Sequence, residues 1–264
     1  MPQTKSLTKT KAAPRRSKPK IGVDEFLAVA RRFGFSKDAM ARITEAVSDD
    51  DLPPGGASLC RYYCADPKLA AGPKLEDAAR KLFGVKYAYP TSSGTGALHA
   101  AFAAVGVGPG KEVICPALGF VATAGAAAMA GGVPVFSDVD ESLHLDPRKI
   151  KDKITPRTVA IAPTHHWGGV AEMGPILQVA KKHNLKVVED CAQSPGASWG
   201  GKPVGTLGDV GCFSISAYKI VGAGEGGMLI TNSLELHERA CQLAEFGGLW
   251  RPNRFADPRH EGEL

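Results

Sequence analysis

From residue 86 onward, short β-rich runs alternate with helical runs, and this alternation constrains the fold more than any other feature of the chain. The strand candidates are Lys86–Pro90, Glu112–Cys115, Val133–Phe136, Val159–Pro163, Lys186–Glu189, Val210–Ser214 and Met228–Thr231. Helical patterns lie at Thr95–Val105, Val121–Ala130, Met173–His183 and Leu234–Glu245. Strands separated by helices imply βαβ units and an α/β architecture, with a mostly parallel central sheet covered by helices on both faces. The apolar runs Thr158–Ala162 and Val187–Val188 suit strands buried on both sides. Ligands of such sheets bind beyond the carboxyl ends of the strands. The loops that follow the strands, at 91–95, 116–120, 165–168, 190–193 and 214–219, are therefore where chemistry is expected.

Ahead of the alternation the chain reads differently. Asp24 is expected to cap a helix carrying Phe26, Leu27, Ala30 and Phe33, and Ser36 to cap a second over Lys37–Val47. Ser48–Gly56, with three aspartates, two prolines and two glycines, reads as a loop or boundary. A third helix, Lys74–Phe83, ends at Gly84, which suits a left-handed cap. The expected organisation is a basic tail over 1–20, a helical segment over 21–69, a large α/β domain over 70–248, and the start of a further region over 249–264.

Charge placement matters more than the net charge of +5. Residues 1–20 carry seven basic residues and no acid, which leaves the remainder with 25 basic and 27 acidic residues. Such a tail cannot bury a core and reads as a solvated extension; a polyanion-binding or targeting arm is the alternative. The absence of acid would suit a transit peptide, but the amphipathic pattern is missing. No nucleic-acid partner is expected. The longest apolar run, Val121–Phe136, is broken by Thr123, three glycines and Pro134, so a bilayer span is excluded there. An apolar leader is also missing from the N-terminus. The six cysteines are scattered, and several sit in apolar runs such as Val113-Ile114-Cys115. They read as buried small hydrophobes in a reducing, cytoplasmic compartment. Cys60 and Cys64 have no Cys/His pair at zinc spacing to complete a site, and no metal is expected.

Three features of the strand-following loops belong together. Ser93-Gly94-Thr95-Gly96 follows a strand and opens a helix, where free N–H groups and the helix dipole favour an anion such as phosphate. An N-cap is the plainer reading of that turn. Asp190 ends a buried strand, where a carboxylate is costly unless it meets a cation. It reads either as a helix cap or as the partner of a protonated ring nitrogen. Lys219 follows another strand in an apolar, small-residue segment, where desolvation would lower its pKa and make it a nucleophile. A snorkelling surface lysine is the alternative. Phosphate turn, strand-end acid and strand-following amine, in that order, are what pyridoxal phosphate requires: its phosphate held, its ring nitrogen kept protonated and its aldehyde bonded to a lysine.

At these residues the chain resembles the DegT/StrS family of pyridoxal-phosphate-dependent sugar aminotransferases, which have the fold-type-I transferase architecture. The resemblance runs from about residue 70 to residue 245. It is carried by Ser92–Leu98, Gly108-Pro109-Gly110 with Glu112-Val113-Ile114, Phe120–Ala124, His165–Gly168, Glu189–Gln193, Gly208-Asp209-Val210 and Gly224–Gly227. It implies that Lys219 is the Schiff-base lysine and proton shuttle, and that Asp190 is the pyridinium partner. It implies that Gln193 lies near the ring hydroxyl, that Gly94, Thr95 and Ser214 hold the phosphate, and that Phe120 covers one ring face. His165 matches the histidine of the family's His-Leu-Tyr-Gly element, in a supporting or structural role, while His166 and Trp167 replace its Leu and Tyr.

The implied activity is transfer of an amino group from glutamate or glutamine to a keto-sugar, nucleotide-linked keto-sugar or keto-cyclitol, in a homodimer. The family's C-terminal domain has no counterpart before Leu264, so a fragment or a shortened relative is expected. A non-catalytic cofactor- or partner-binding remnant is a rival reading. A sugar dehydratase is another, although one dehydratase type carries His at the Schiff-base position, where this chain has Lys219. Arg61-Tyr62-Tyr63 is expected to approach the acceptor or to pack a pocket.

Overall fold

A computed structural model of the chain describes residues 21–52 and 71–244, which fall in two compact units. The expectations for the basic tail, for Cys60, Cys64 and Arg61–Tyr63, and for the region after residue 244 lie outside the described residues.

In the smaller unit, α1 (Val23–Arg31) and α2 (Lys37–Ala46) are joined by a short turn. Ser36 caps α2 as its sequence suggests, accepting a hydrogen bond from the Ala39 N–H at 3.2 Å. Asp24 does not cap α1. The helix starts two residues earlier than a cap at Asp24 implies, Gly22 is its N-cap, and the Gly22 N–H donates to Glu25 Oε2 at 2.7 Å. A glutamate three residues into the helix reaches back to the chain start, which leaves Asp24 within the first turn, where the helix dipole still favours an acid.

The larger unit holds a seven-stranded sheet. Its strands are β1 (Tyr87–Thr91), β2 (Glu112–Pro116), β3 (Val133–Ser137), β4 (Thr158–Ile161), β5 (Lys186–Asp190), β8 (Val210–Ser214) and β9 (Gly227–Thr231), in the spatial order β1-β9-β8-β5-β4-β2-β3. The pairs β3–β2, β2–β4, β4–β5 and β5–β8 are parallel, and β9 runs antiparallel to both β8 and β1. All seven predicted strands are present within two residues of their predicted ends. A two-residue hairpin, β6 (Ser198–Trp199) with β7 (Lys202–Pro203), is additional. The helices are α3 (Ala71–Phe83), α4 (Gly94–Ala104), α5 (Ala122–Met129), α6 (Pro147–Ile150), α7 (Met173–His183) and α8 (Leu234–Ala244).

The period of two along the strands sorts the core into faces. Val113, Cys115, Ala160, Ala162, Val188, Val210, Cys212 and Leu229 join α4, α5 and α8 in one apolar layer. Ile114, Ile161 and Val187 point the other way, into a layer with Leu145, Ile150, Met173 and Ile176. Phe213, Ile230 and Ala88 extend that second face under α3. The helix α4 shows little amphipathic pattern because it is buried nearly all round. Ala97, Leu98, Ala100, Ala101, Phe102 and Ala104 are all inaccessible, and the helix packs on α5, α8 and the sheet together. Its alanines let it approach closely, and Phe102 fills what they leave.

Cys115, Cys191, Cys212 and Cys241 are buried and unbridged, as their apolar settings predict. Burial pushes the Cys115 thiol up to about 12, with the Asp190 carboxylate adding to the rise, and raises Cys191 and Cys212 well above the ordinary value. They are packing groups and not nucleophiles. Among the described residues no helix is long and apolar enough to cross a membrane.

Phe102 is 0% exposed at the centre of the α4 layer. Phe102→Ala is expected to cost about 3–5 kcal/mol of stability, because the surrounding alanines cannot collapse into the cavity. Urea unfolding followed by circular dichroism measures it.

Candidate active site

All strands of the large sheet except β9 end on one rim, and the loops that leave that rim carry the candidate residues. The parallel pairing of β5 and β8 sets Asp190 opposite Cys212, two residues before Ser214. The antiparallel β9 starts at the same rim, with Gly227 opposite both Ser214 and Thr91.

The start of α4 is built first. Ser93 is the N-cap of α4, and its hydroxyl accepts from the Gly96 N–H at 3.0 Å. The Thr91 hydroxyl holds the Ser93 carbonyl at 2.8 Å, which fixes the approach to the helix. The N–H groups of Gly94 and Thr95 sit in the first turn, where helix geometry provides no intrahelical acceptor. Gly94 is pressed against the end of β8: a Cβ there would lie 2.7 Å from Ser214 Cβ and 3.3 Å from Ser214 Oγ. The cradle of Gly94, Thr95 and Ser214 therefore exists because residue 94 has no side chain. Gly227 serves the same junction, since a Cβ on it would overlap the Ser93 carbonyl.

Asp190 is 3% exposed. Its Oδ2 accepts from the Thr123 hydroxyl at 2.6 Å, and its Oδ1 from the Ala192 N–H at 3.1 Å. Thr123, at the start of α5, lies 3.2 Å from the hydroxyl of Thr164, in the loop after β4, so a second threonine backs the one that bonds the carboxylate. No helix follows Asp190 directly, so the capping alternative is replaced by a local turn. No cation among the described residues pairs with it. A buried carboxylate held only by neutral donors suits a protonated ring nitrogen.

Phe120 lies one turn before Thr123, whose N–H points to the Phe120 carbonyl at 3.4 Å. Its ring is 62% exposed, and Lys219 Nζ lies over it, 5.9 Å from the centroid. Lys219 is half-buried in the 215–226 loop, where its N–H donates to the Ser216 carbonyl at 3.0 Å. The apolar segment around it is not a buried one: Tyr218, Ile220 and Val221 all face outward. The desolvation expected from composition is thus not supplied by the described residues. The three elements nevertheless converge. The α4 cradle touches Ser214, Asp190 is bonded to Thr123, and Lys219 lies over the Phe120 that leads into Thr123.

Two further predicted residues are engaged by the protein itself. The Gln193 side chain accepts from the Trp167 N–H at 3.4 Å, and its carbonyl from the Gly168 N–H at 3.2 Å, so it pins the loop after β4. His165 is fully buried, with both ring nitrogens engaged by protein. Its Nδ1 accepts from the Ala171 N–H at 3.2 Å, so its Nε2 donates to Glu189, 3.1 Å away. Both contacts are to protein groups, of the kind the structural alternative for His165 expects. Thr123 and Thr164 were not singled out by sequence reasoning. Thr123 falls within the recognised 120–124 run, and its hydroxyl at an otherwise apolar helix start was the available signal.

His165, Glu189 and Cys191 lie close enough to suggest a metal site. Glu189, however, already accepts from the N–H groups of Gly205, Leu207 and Gly208 as well as from His165, which leaves no free lone pair for an ion.

A sequence model of the DegT/DnrJ/EryC1/StrS aminotransferase family matches residues 69–257. GDP-perosamine synthase of Caulobacter vibrioides is 46% identical over 182 residues, 69% of this chain and 48% of that protein. The L-glutamine:2-deoxy-scyllo-inosose aminotransferase of Streptoalloteichus tenebrarius is 44% identical over 69% of this chain and 44% of its own. The crystal structure of NtdA from Bacillus subtilis with bound cofactor PMP superposes with a TM-score of 0.62 at 35% identity, covering 67% of this chain and 39% of that one. The chain spans about half the length of the curated relatives it matches.

Near the site, burial pushes the His144 imidazole below its ordinary 6.5, and His166 and His165 add to the fall. As pH drops, the unfolded chain takes up this proton before the folded one. The stability tied to His144 is therefore fully present above 6.5 and is lost as pH falls from there through the lower folded value. The urea midpoint is expected to fall between about pH 7 and about pH 5, and to fall less in His144→Gln. Equal slopes in the two proteins would refute this.

Proposed function

The chain belongs to the DegT/DnrJ/EryC1/StrS aminotransferase family, and from that premise we propose that it forms the cofactor-binding part of a pyridoxal-phosphate-dependent aminotransferase. The substrates of this reading are glutamate or glutamine as donor and a keto-sugar, nucleotide-linked keto-sugar or keto-cyclitol as acceptor. The observation that carries it is Asp190: a carboxylate 3% exposed, held by neutral donors, at the rim where the Gly94–Ser214 cradle and Lys219 also lie.

Pyridoxal phosphate, when bound, supplies an electron sink for negative charge at the carbon bearing the amino group. The chain's own residues do the rest. The first-turn N–H groups of Gly94 and Thr95, with the Ser214 hydroxyl, bind a phosphate dianion without needing a cationic side chain. Asp190, oriented by Thr123 and Ala192, would hold a proton on the cofactor's ring nitrogen. Phe120 presents an aromatic face for packing and limits the tilt of a flat ring. Lys219 Nζ would take the proton from the donor's α-carbon as general base and, as general acid, deliver it to the cofactor carbon that bears the nitrogen. Gln193 holds the loop bearing Trp167 against this rim.

A homodimer is part of the same reading. Phe120, Val121, Trp167, Tyr218, Ile220 and Val221 are exposed around the site, and a second subunit over them would exclude water from it. The four buried, unbridged thiols fit a cytoplasmic setting.

Borohydride reduction of the chain incubated with pyridoxal phosphate is expected to leave the cofactor's mass on the peptide containing Lys219. Lys219→Ala is expected to abolish that label, and Asp190→Asn to weaken cofactor retention by about tenfold or more. Undiminished, site-selective labelling in Lys219→Ala would end the assignment.

A further inference from the structure

We propose that His166 is a positioning residue that sets the Phe120 ring by tethering the loop that carries it, with His144 braced behind. The inference rests on the reading of this rim as a cofactor site. His166 lies in the loop after β4 and is 3% exposed. Its ring crosses to the loop after β2, where Nε2 lies 3.0 Å from the Leu118 carbonyl oxygen. A carbonyl only accepts, so the proton is on Nε2 and points at the loop. The same ring fills the space under the next residue. A Cβ at Gly119 would lie 3.2 Å from His166 Cε1 and 3.3 Å from Nε2. One imidazole therefore holds Leu118 by a directed bond and Gly119 by contact, immediately before Phe120.

The other end of the tether is anchored. The backbone N–H of His166 donates to His144 Nε2 at 3.2 Å. That leaves the His144 proton on Nδ1, which faces the Ser142 hydroxyl at 3.0 Å. Ser142 in turn bonds Asp140 Oδ1 at 2.5 Å. The two imidazoles lie 5.9 Å apart. Directed bonds thus run from the 140–144 turn to the loop that presents Phe120, and Lys219 Nζ lies over that phenyl ring.

Packing alone does not explain a histidine here. His166 Nδ1 is buried with no hydrogen-bond partner among the described residues, which is an unfavourable state for a polar nitrogen. An apolar side chain of similar size would fill the volume without that cost. What the imidazole adds is the N–H to Leu118, and that bond acts on the Phe120 loop.

The test compares His166→Leu with His166→Gln in the whole chain. A glutamine amide can donate to the Leu118 carbonyl and a leucine cannot. The first readout needs no cofactor: hydrogen exchange at the Ala117 amide, which donates to Ser137 at 2.8 Å, and at the Thr123 amide. In His166→Leu both are expected to exchange about tenfold faster while α7 and β5 keep their protection, and His166→Gln is expected to restore them. The second readout is the visible circular dichroism of added pyridoxal phosphate, expected to lose about half its amplitude in the leucine variant and to recover in the glutamine variant. Wild-type exchange in His166→Leu, or equal disturbance by leucine and glutamine, overturns the proposal. Should His166→Leu fail to fold, Gly119→Ala carries the same test by pushing the loop off the ring. An exchange response as stated in a chain that gives no cofactor signal supports the tether and refutes the cofactor reading, so the two failures are distinct.

Discussion

Glu189 and Asp190 are consecutive at the end of β5, and the strand's period of two sends them to opposite faces of the sheet. The rest of the site depends on that separation. On the α7 side, Glu189 is saturated by three backbone N–H groups and His165, so its charge is spent on holding the 205–208 turn and the loop after β4. On the α4 side, Asp190 has one threonine hydroxyl and one N–H. Two identical charges, adjacent in sequence and equally buried, therefore have different fates. One is a strut, and the other retains the capacity to face a cation. A slip of one residue in the β5–β8 register would exchange them, and the apolar layers on either side resist such a slip because Val187 and Val188 would also change places.

The second requirement is close approach. The start of α4 must descend onto the end of β8 for its N–H groups and Ser214 to share a ligand, and Gly94 and Gly227 are the positions that allow it. The alanine-rich body of α4 continues the same logic, because a helix of small residues lies near enough to the sheet for its first turn to reach the rim. Burial of α4 on most sides then fixes its first turn through packing, so the geometry of the proposed anion site is inherited from the core.

The sequence made the β/α alternation plain because buried strands and glycine-ended helices leave strong local signals. It did not disclose that β9 runs antiparallel, since direction depends on the path of the chain and not on any residue within 227–231. The β6–β7 hairpin is two residues long on each side, too short to leave a periodic pattern. The cap of α1 was misassigned to Asp24 because glycine gives no side-chain signal and the bond to Gly22 comes from Glu25. At the site, Asp190 and Gly94 stand out as candidates from a strand end and a turn, whereas Ser214 enters only through the family resemblance. The setting of Lys219 could not be read: apolar neighbours suggested burial, whereas Tyr218, Ile220 and Val221 are exposed. Thr123 was equally hidden, because what matters is its 2.6 Å bond to a residue 67 positions away.

Comparison of the two rims of the sheet gives the functional direction an independent basis. At the amino ends of the strands, charges are answered within the chain. Glu112, at the start of β2, accepts from the hydroxyls of Thr155 and Thr158 and from Arg157, and the Thr155 bond is the main reason its carboxyl is held below the ordinary range. Lys186, at the start of β5, pairs with Asp209 at 2.9 Å, and Asp209 also takes the Val187 N–H. At the carboxyl ends the chain holds a buried acid held only by neutral donors, a helix start whose first N–H groups have no intrahelical acceptor, an exposed phenyl ring and a half-exposed amine above it. Folding alone would favour satisfying both rims alike. Glu189 apart, the asymmetry follows if the groups at the carboxyl rim complete their interactions with a bound anionic heterocycle.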